Sequence, residues 1–300
     1  MVDFIHNNKD RYGVEAICRI LPIAASTYYR ALDLVDNPEH RAKRALHDLH
    51  HAEQIKRIWK ESLGRYGVRK VWQQLKREGY VIARCTVARL MQKLGIQGVW
   101  RGKNKQTTRS RDDQKRADDL VKRNFNADHP DQLWVADFTY IQTHSGWVYT
   151  AFIIDVFSRA IVGWKVSTRM NTDMVLDALE QALHDRGMPK NVIHHSDRGV
   201  QYLSIRYTNR LEAANLRASV GTTGDSYDNA LAETVNGLYK TEVIEYLKAD
   251  WQGLADVQLA TLNWVDWFNK KRVHSALGYV SPFEFEAMYY DKINPLGQVA

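Results

Sequence analysis

Three acidic residues in the second half of the chain have surroundings that suit metal-dependent chemistry. Asp137 lies within an otherwise apolar β-like run, VADFTY, where an unpaired carboxylate is costly to bury. Asp197 ends a second β-like run, NVIHHSD, and Glu233 lies in a segment with helical periodicity. Acids on a strand, at a strand end and on a helix can meet only through the tertiary fold. Such a set of oxygen ligands would suit a hard divalent cation.

A polar stripe runs along the helix predicted around Glu233. Asn229, Glu233, Asn236 and Lys240 follow one another at intervals of four, three and four residues. Residues at this spacing share one face of a helix. The stripe would therefore place Lys240 on the same side of the helix as Glu233.

The hydrophobic pattern indicates which elements hold these acids. Three β-rich runs, WVADFTYIQ, WVYTAFIIDVF and AIVGWKVS, are separated by hairpin-like turns. Helical and strand-like segments then alternate, and the tail over residues 254–290 is helical and rich in aromatic residues. This order predicts an α/β fold in which a mixed sheet is covered by helices.

Charge is divided unequally between the two halves of the chain. The 300 residues contain 42 Lys and Arg against 35 Asp and Glu, a formal net charge of +7. Residues 1–130 hold 27 basic and 15 acidic residues, whereas residues 131–300 hold 15 and 20. A basic half joined to an acidic half favours contact with nucleic acid. A basic surface that serves solubility alone is the alternative.

Residues 64–97 have the pattern of a helix-turn-helix. Apolar residues recur at helical spacing on both sides of Gly79, and positions 63–108 contain eleven basic residues and a single acid, Glu78. A helix-turn-helix inserts the start of its second helix into the major groove, so we predict DNA binding here rather than a solvated helical hairpin. The residues predicted to contact DNA in this block are Arg65, Arg69, Lys70, Arg84, Thr86, Arg89, Lys93, Arg101 and Lys103.

Other classes of protein are excluded by composition. No run of about 18 apolar residues exists, so neither a membrane span nor a membrane partner is expected. Residues 1–10 lack the apolar run of a signal peptide. Cys18 and Cys85 are too few for a disulfide framework or a cysteine-rich zinc site. A cytoplasmic protein is the expectation.

Three motifs together resemble the DDE transposase and retroviral-integrase superfamily. They are WVADFTYI, IHHSDRGVQY and GDSYDNALAETVNGLYKTE, which contain Asp137, Asp197 and Glu233. The 35 residues between Asp197 and Glu233 match the Asp-Asp-35-Glu signature of that family, and Lys240 matches its basic residue seven positions after the glutamate. The closing segment WFNKKRVHSALGYVSPFEF and the helix-turn-helix block resemble bacterial insertion-sequence transposases of the second-reading-frame type.

The resemblance implies a ribonuclease H-like catalytic core preceded by an all-α helix-turn-helix DNA-binding region. It implies that Asp137, Asp197 and Glu233 are the catalytic residues and hold two Mg²⁺ or Mn²⁺ ions for in-line phosphoryl displacement. Lys240 would contact a DNA phosphate near the reacting end, although an ordinary surface lysine is the alternative. The chain would then be a polynucleotidyl transferase that binds terminal inverted repeats and cuts and joins DNA strands.

The resemblance also implies partners. These are double-stranded DNA of the element ends and of the target, further copies of the chain as a homo-oligomer on paired ends, and an upstream frameshift product. The expected location is the bacterial cytoplasm, in association with the nucleoid. Two alternatives stay open, a ribonuclease H-like nuclease that cuts without joining and a catalytically idle DNA-binding regulator. The basic front argues against the first, and the complete set of acids argues against the second.

The predicted domain boundaries follow from these assignments. They are an N-terminal helical region with a weaker helix-turn-helix-like pattern (1–60), a helix-turn-helix DNA-binding domain (61–108), a linker (109–130), a catalytic domain with a helical tail (131–290) and a C-terminal tail (291–300).

Overall fold

A five-stranded mixed sheet organises the second half of the protein in the computed structural model. The structure describes residues 1–100, 121, 125–197, 199–220, 230–247 and 250–294. The strands are β1 (Leu133–Thr143), β2 (Gly146–Asp155), β3 (Ile161–Ser167), β4 (Ile193–Ser196) and β5 (Arg217–Val220). Their order in the sheet is β3-β2-β1-β4-β5.

The first three strands form an antiparallel meander, and the last two are parallel to β1. β1 pairs antiparallel with β2, and β2 pairs antiparallel with β3. β4 lies parallel to β1 on its other side, and β5 lies parallel to β4. Hairpins can join antiparallel neighbours directly, whereas each parallel strand needs a helical crossover. The order is that of the ribonuclease H-like fold, so the predicted fold of the second half is confirmed.

Eleven helices lie among the described residues. The first half contains α1 (Val2–Tyr12), α2 (Val14–Ile20), α3 (Ala25–Asp36), α4 (Lys43–Glu61), α5 (Val68–Arg77) and α6 (Arg84–Lys93). The second half contains α7 (Thr172–Asp185), α8 (Ile205–Ala213), α9 (Ala230–Tyr239), α10 (Leu254–Lys270) and α11 (Pro282–Ile293). A π-helical segment, Lys240–Glu245, directly follows α9. No described helix is both long and apolar enough to cross a membrane.

Both faces of the sheet are covered, because the side chains of β1 alternate between two cores. Val135 and Ile141 belong to a core that includes apolar residues of α9 and α10, whereas Trp134 packs in a second core with α7 and α8. Gly163 of β3 allows α7 to approach closely, since a Cβ at that position would lie 2.2 Å from the carbonyl oxygen of Ala178. The sheet is therefore the central layer of three.

The helix-turn-helix block is not isolated from the second half of the chain. Buried residues of α4, α5 and α6, among them Ile55, Val71 and Val87, belong to the same continuous core as Trp264 of α10. Helices α1–α3 instead form a small separate cluster around Ile5, Ile17 and Tyr28. The described residues of the first half form helices and no strand, as predicted.

The predicted domain boundaries remain predictions, with one feature that bears on them. Helix α4, which those boundaries place in the region before the DNA-binding domain, packs directly against α5 and α6. The linker predicted over residues 109–130 lies mostly outside the described residues.

Candidate active site

Asp137 occupies the middle of β1, at the point where the parallel neighbour β4 ends. Ala136 of β1 is paired with Ser196, the last residue of β4. Asp137 is the next residue after Ala136 and Asp197 is the next residue after Ser196, so the two acids begin side by side at the end of this pairing. Asp137 is half-buried in a recess between the sheet and α9. Its Oδ1 accepts a hydrogen bond from its neighbour's backbone N–H, that of Phe138, at 2.8 Å. The strand ending of β4 thus leaves two carboxylates side by side.

The protonation of Asp137 reflects this crowding of acids. Burial raises the pKa of Asp137 to about 8, and the negative charges of Asp197 and, more weakly, of Glu233 act in the same direction. In the described part of the chain, none of the three forms a salt bridge with a lysine or an arginine. Among the described residues, negative charge is therefore concentrated at these acids, and the charge of His195 lowers the pKa of Asp197.

Asp197 and Glu233 complete the set from two other elements. Burial raises the pKa of Asp197, whose Oδ1 accepts a hydrogen bond from the backbone N–H of Gly199 at 3.0 Å. Glu233 is exposed on the first turn of α9, a helix that packs on β1 and β2. Partial burial and the charge of Asp197 raise the pKa of Glu233. The three acids, called the acidic triad below, are thus brought into electrostatic contact.

Asn236 makes a contact with Asp137 that sequence reasoning missed. Its side chain is 8% exposed, and its Nδ2 donates a hydrogen bond to Oδ2 of Asp137 at 2.9 Å. Its Oδ1 is buried and accepts no hydrogen bond within the described residues. The polar stripe around Glu233 placed Asn236 on the right face of the helix, but nothing in the sequence indicated Asp137 as its partner. Buried amides normally satisfy both groups, so this oxygen marks an incomplete site.

The donor set fits a divalent cation with open coordination positions. Among the residues that the structure describes, no three or more His, Cys, Asp and Glu side chains are grouped as a ready metal cage. A Mg²⁺ site needs no such cage, because this ion is usually held by one or two carboxylates together with waters and substrate phosphates. Asp137 and Asp197, with Glu233 beside them, could hold ions in that manner.

Lys240 follows the helix that carries Glu233 and Asn236. It begins the π-helical segment after α9 and is half-buried. Its Nζ lies 4.8 Å from the ring centroid of Tyr140 on β1. The sequence prediction that Lys240 accompanies the site is therefore compatible with its position.

Two residues predicted to contact DNA instead lie in the interface between the two halves of the chain. Arg65 is 7% exposed, its Nε donates to the carbonyl oxygen of Glu242 at 3.0 Å, and its guanidinium lies 4.6 Å from the ring centroid of Trp267. Lys70 is half-buried, and burial together with the charge of Arg272 lowers its pKa to about 7. Burial argues against a DNA contact for Arg65, because the density of positive charge along a sequence does not reveal which side chains are packed, whereas a DNA contact by Lys70 stays a prediction.

The remaining predicted DNA contacts fall into three groups. Arg84 and Lys93 are exposed on α6, at its first and last residues, and Thr86 is half-buried one turn from the start. Arg89 is exposed but pairs with Asp48 of α4 at 2.8 Å. Arg69 is exposed on α5, 5.8 Å from the ring of Tyr279. Arg101 and Lys103 lie outside the described residues.

Family models match most of this architecture. An integrase core domain matches residues 127–226, and a second integrase core domain model matches residues 214–282. An HTH-like domain matches residues 47–104. The matches thus cover the sheet and α9, which together hold the acidic triad, and most of helices α4–α6.

Relatives with similar sequences extend over nearly the whole chain. The protein is 52% identical to a transposase for insertion sequence element IS629 of Shigella sonnei, over 98% of each chain. It is 50% identical to a putative transposase for insertion sequence element IS986/IS6110 of Mycobacterium tuberculosis, over 90% of this chain and 97% of the relative.

Among solved structures, the HTLV-2 integrase catalytic core domain in complex with magnesium is 18% identical, with a TM-score of 0.44, over 54% of this chain and 99% of that one. The family assignment does not depend on this structural likeness. It follows from the family models and from the relatives that match nearly the whole chain. The chain belongs to the transposases of bacterial insertion sequences, DDE-type polynucleotidyl transferases with an integrase core domain and an HTH-like DNA-binding domain.

Proposed function

We propose that the acidic triad of this transposase cuts and joins DNA strands at the ends of its own insertion sequence. The observation that supports the proposal is the convergence of Asp137, Asp197 and Glu233, in which the charge of Asp197 raises the pKa of both other acids and none of the three pairs with a lysine or an arginine among the described residues. Carboxylates held so close together are unfavourable unless a cation or a proton joins them.

Each residue has a proposed role in this reaction. Asp137 and Asp197 hold divalent ions, Mg²⁺ or Mn²⁺, and Glu233 completes their ligands from α9. Two such ions, when bound, stabilise the attacking and leaving oxygens of an in-line displacement at phosphorus. Asn236 keeps the carboxylate of Asp137 in one orientation through its 2.9 Å hydrogen bond. Lys240, beside the ring of Tyr140, binds a phosphate of the DNA strand near the reacting bond.

Helix α6 is the proposed reader of the element end. Its exposed Arg84 lies at the helix start, which a helix-turn-helix inserts into the major groove. Thr86, Arg89 and Lys93 continue along the same helix, and Arg69 of α5 flanks them as a phosphate contact. The DNA partners are the terminal inverted repeats and the target duplex.

Further partners are proposed on the family pattern. Two ends must be held together for joining, so we propose a homo-oligomer on paired ends. An upstream frameshift product is a second proposed protein partner. We propose that the protein works on nucleoid DNA in the bacterial cytoplasm.

The direct test is an assay of strand cleavage and strand transfer. The substrate is a labelled duplex that carries the inverted repeats flanking the gene, with Mg²⁺ or Mn²⁺. We expect Asp137→Asn, Asp197→Asn and Glu233→Gln each to abolish both products while duplex affinity, measured by fluorescence anisotropy, stays within about twofold, because phosphate contacts dominate that affinity. Asp177→Asn is the matched control, an exposed acid of the same domain that pairs with Lys165.

Each other outcome has a definite meaning. Retained activity in any one triad variant would remove that residue from the proposed site. Cleavage without joining by the unaltered protein would indicate a nuclease, and the absence of both products would indicate a DNA-binding regulator.

A further inference from the structure

The hairpin of β1 and β2 carries two exposed aromatic side chains beside Lys240. Tyr140 is 44% exposed and Trp147 is 49% exposed. Their ring centroids lie 5.3 Å apart with the planes inclined at 80°, an edge-to-face contact. The ammonium of Lys240 lies 4.8 Å from the centroid of the Tyr140 ring. Two aromatic rings and a cation therefore form one exposed surface.

This surface shares strand β1 with Asp137. Tyr140 follows Asp137 by three residues, about 10 Å along an extended strand. Because β4 ends at Ser196, opposite Ala136, β1 has no neighbour beyond that point on this side among the described strands. Side chains alternate along β1, so Tyr140 points to the opposite face of the strand from Asp137. Lys240, which directly follows α9, reaches the Tyr140 ring across the edge of β1 that β4 leaves unpaired. A DNA strand that leaves the recess over this edge would pass Lys240 and then the rings.

The hairpin that holds the rings is fastened at its tip. The backbone N–H of His144 donates to the carbonyl oxygen of Trp251 at 2.9 Å. The backbone N–H of Ser145 and its hydroxyl donate to the carbonyl oxygen of Gln252 at 3.0 Å and 2.6 Å. Three hydrogen bonds thus tie the turn to the segment before α10. The rings are held ready for a ligand, so that little conformational entropy is lost when one binds.

The chemistry of the surface selects a nucleotide whose base is not paired. Bases of a duplex are stacked on their neighbours, whereas an unpaired base has a face free to stack on an aromatic ring. The lysine ammonium offers a counter-charge for the adjoining phosphate, which an apolar protein partner would not use. We propose that Tyr140, Trp147 and Lys240 form a stacking site for an unpaired nucleotide of the DNA next to the scissile phosphate. The proposal rests on the proposed function, because it places DNA at the acidic triad.

Photo-crosslinking tests the contact directly. Duplex ends carry 5-iodouracil at each of the last few positions of either strand, with the terminal nucleotides either paired or unpaired. We expect an unpaired iodouracil at one position to crosslink to Trp147 or Tyr140, as mapped by mass spectrometry. Crosslinks only to other residues, at every position, would overturn the proposal.

Affinity measurements test its energetic consequence. We expect the unaltered protein to bind frayed ends more tightly than fully paired ends, and Trp147→Ala to weaken binding to frayed ends about tenfold, since stacking of a base on an aromatic ring has that size. Trp147→Phe should retain most of the preference because it keeps an aromatic face. Tyr290→Ala is the matched control, a side chain on α11 with the same 49% exposure, and should change nothing.

Several outcomes separate this inference from its alternatives. If Trp147→Ala and Tyr140→Ala keep the preference for frayed ends, or if they alter the oligomeric state in sedimentation velocity without DNA, the surface binds another copy of the chain or nothing, and the proposal fails. If the unaltered protein makes the crosslink but neither cuts nor joins DNA, the stacking site stands and the proposed function fails. If the unaltered protein cuts and joins DNA but does not make the crosslink, the proposed function stands and the stacking site fails.

Discussion

At the scale of single residues, the hydrogen bond between Asn236 and Asp137 determines how the central carboxylate is presented. Asp137 has two oxygens, of which Oδ1 accepts from the backbone and Oδ2 accepts from Asn236. An amide that donates to a carboxylate fixes its orientation and favours its charged form, against the effect of burial. Groups that orient a metal ligand in this way commonly change metal affinity or activity by about 10–100-fold when they are removed.

We therefore expect Asn236→Ala to raise the Mg²⁺ concentration needed for half-maximal strand transfer by about tenfold or more. Asn236→Asp should impair the reaction further at low Mg²⁺, because it adds a fourth negative charge, and high Mg²⁺ should partly restore it. The measurement is strand transfer over a Mg²⁺ titration, with duplex affinity followed in parallel. Asn263→Ala, at an exposed position of α10, is the control. An unchanged Mg²⁺ dependence in Asn236→Ala would contradict the orienting role.

At the scale of elements, the π-helical segment that follows α9 is also contacted by the helix-turn-helix block. Glu242, in the π-helical turn, is 6% exposed and accepts hydrogen bonds from Arg272 at 2.6 Å and from Nε1 of Trp264 at 3.1 Å. The positive charge of Arg272 lowers the pKa of Glu242 in spite of its burial. Arg65 donates to the carbonyl oxygen of the same residue. π-Helical turns often occur at functional sites, and this one joins α9 to the interface between the halves.

Two arginines of the helix-turn-helix block should consequently behave differently. Arg84→Ala should weaken binding to the terminal repeat and lower the slope of log affinity against log salt concentration by about one, because it removes a phosphate contact. Arg65→Ala should leave that slope unchanged and lower the free energy of unfolding by about 1–3 kcal/mol, since it leaves a buried carbonyl oxygen without its donor. Anisotropy at several salt concentrations and urea denaturation distinguish the two. Equal effects of both variants on the salt slope would contradict the assignment of Arg65 to the interface.

At the scale of the whole molecule, stability should depend on pH through buried neutral histidines. His194 is 1% exposed in β4, and its Nε2 lies 3.1 Å from the hydroxyl of Tyr207. Burial, with a smaller effect of His195, lowers the pKa of His194 to about 4. Burial and the charge of Arg272 likewise lower the pKa of His274, to about 2. As the pH falls, the histidines of the unfolded chain, with an ordinary pKa near 6.5, therefore bind protons before those of the folded protein.

The sign of the effect follows from this difference in proton binding. The contribution of these histidines to stability should be complete above about pH 6.5 and should fall as the pH drops toward 4, by about 1.4 kcal/mol per pH unit for each histidine. The raised pKa of Asp137 acts in the opposite direction, so the histidine contribution is read from the difference between variants. His194→Gln should remove the contribution of one histidine from that slope. His184→Gln, at an exposed position of α7, should leave the slope unchanged. Urea denaturation between pH 4 and pH 7.5 provides the measurement, and an undiminished slope in His194→Gln would refute the assignment.

Much of the architecture was predictable from the sequence, because local patterns determine it. Alternating apolar residues identified β1, β2 and β3, and helical periodicity identified α5, α6 and α7. The order of these elements restricted the fold to a mixed sheet with helices on it. The acidic triad was predictable as a set because its spacing and flanking motifs resemble those of a known family. The charge difference between the halves indicated where DNA would bind.

Contacts between distant segments were decided only by the tertiary structure. Positive charge predicted Arg65 and Lys70 as DNA contacts, but the turn before α5 packs on the second half of the chain and buries Arg65 beside Trp267. Asn236 shared a face with Glu233 by helical spacing, yet its hydrogen bond to Asp137 joins residues 99 positions apart. The meeting of Trp147 with Tyr140 and Lys240 likewise depends on a hairpin and a helix end that share no local signal. Periodicity records which side of an element is apolar, whereas the partner of each side depends on how the whole chain packs.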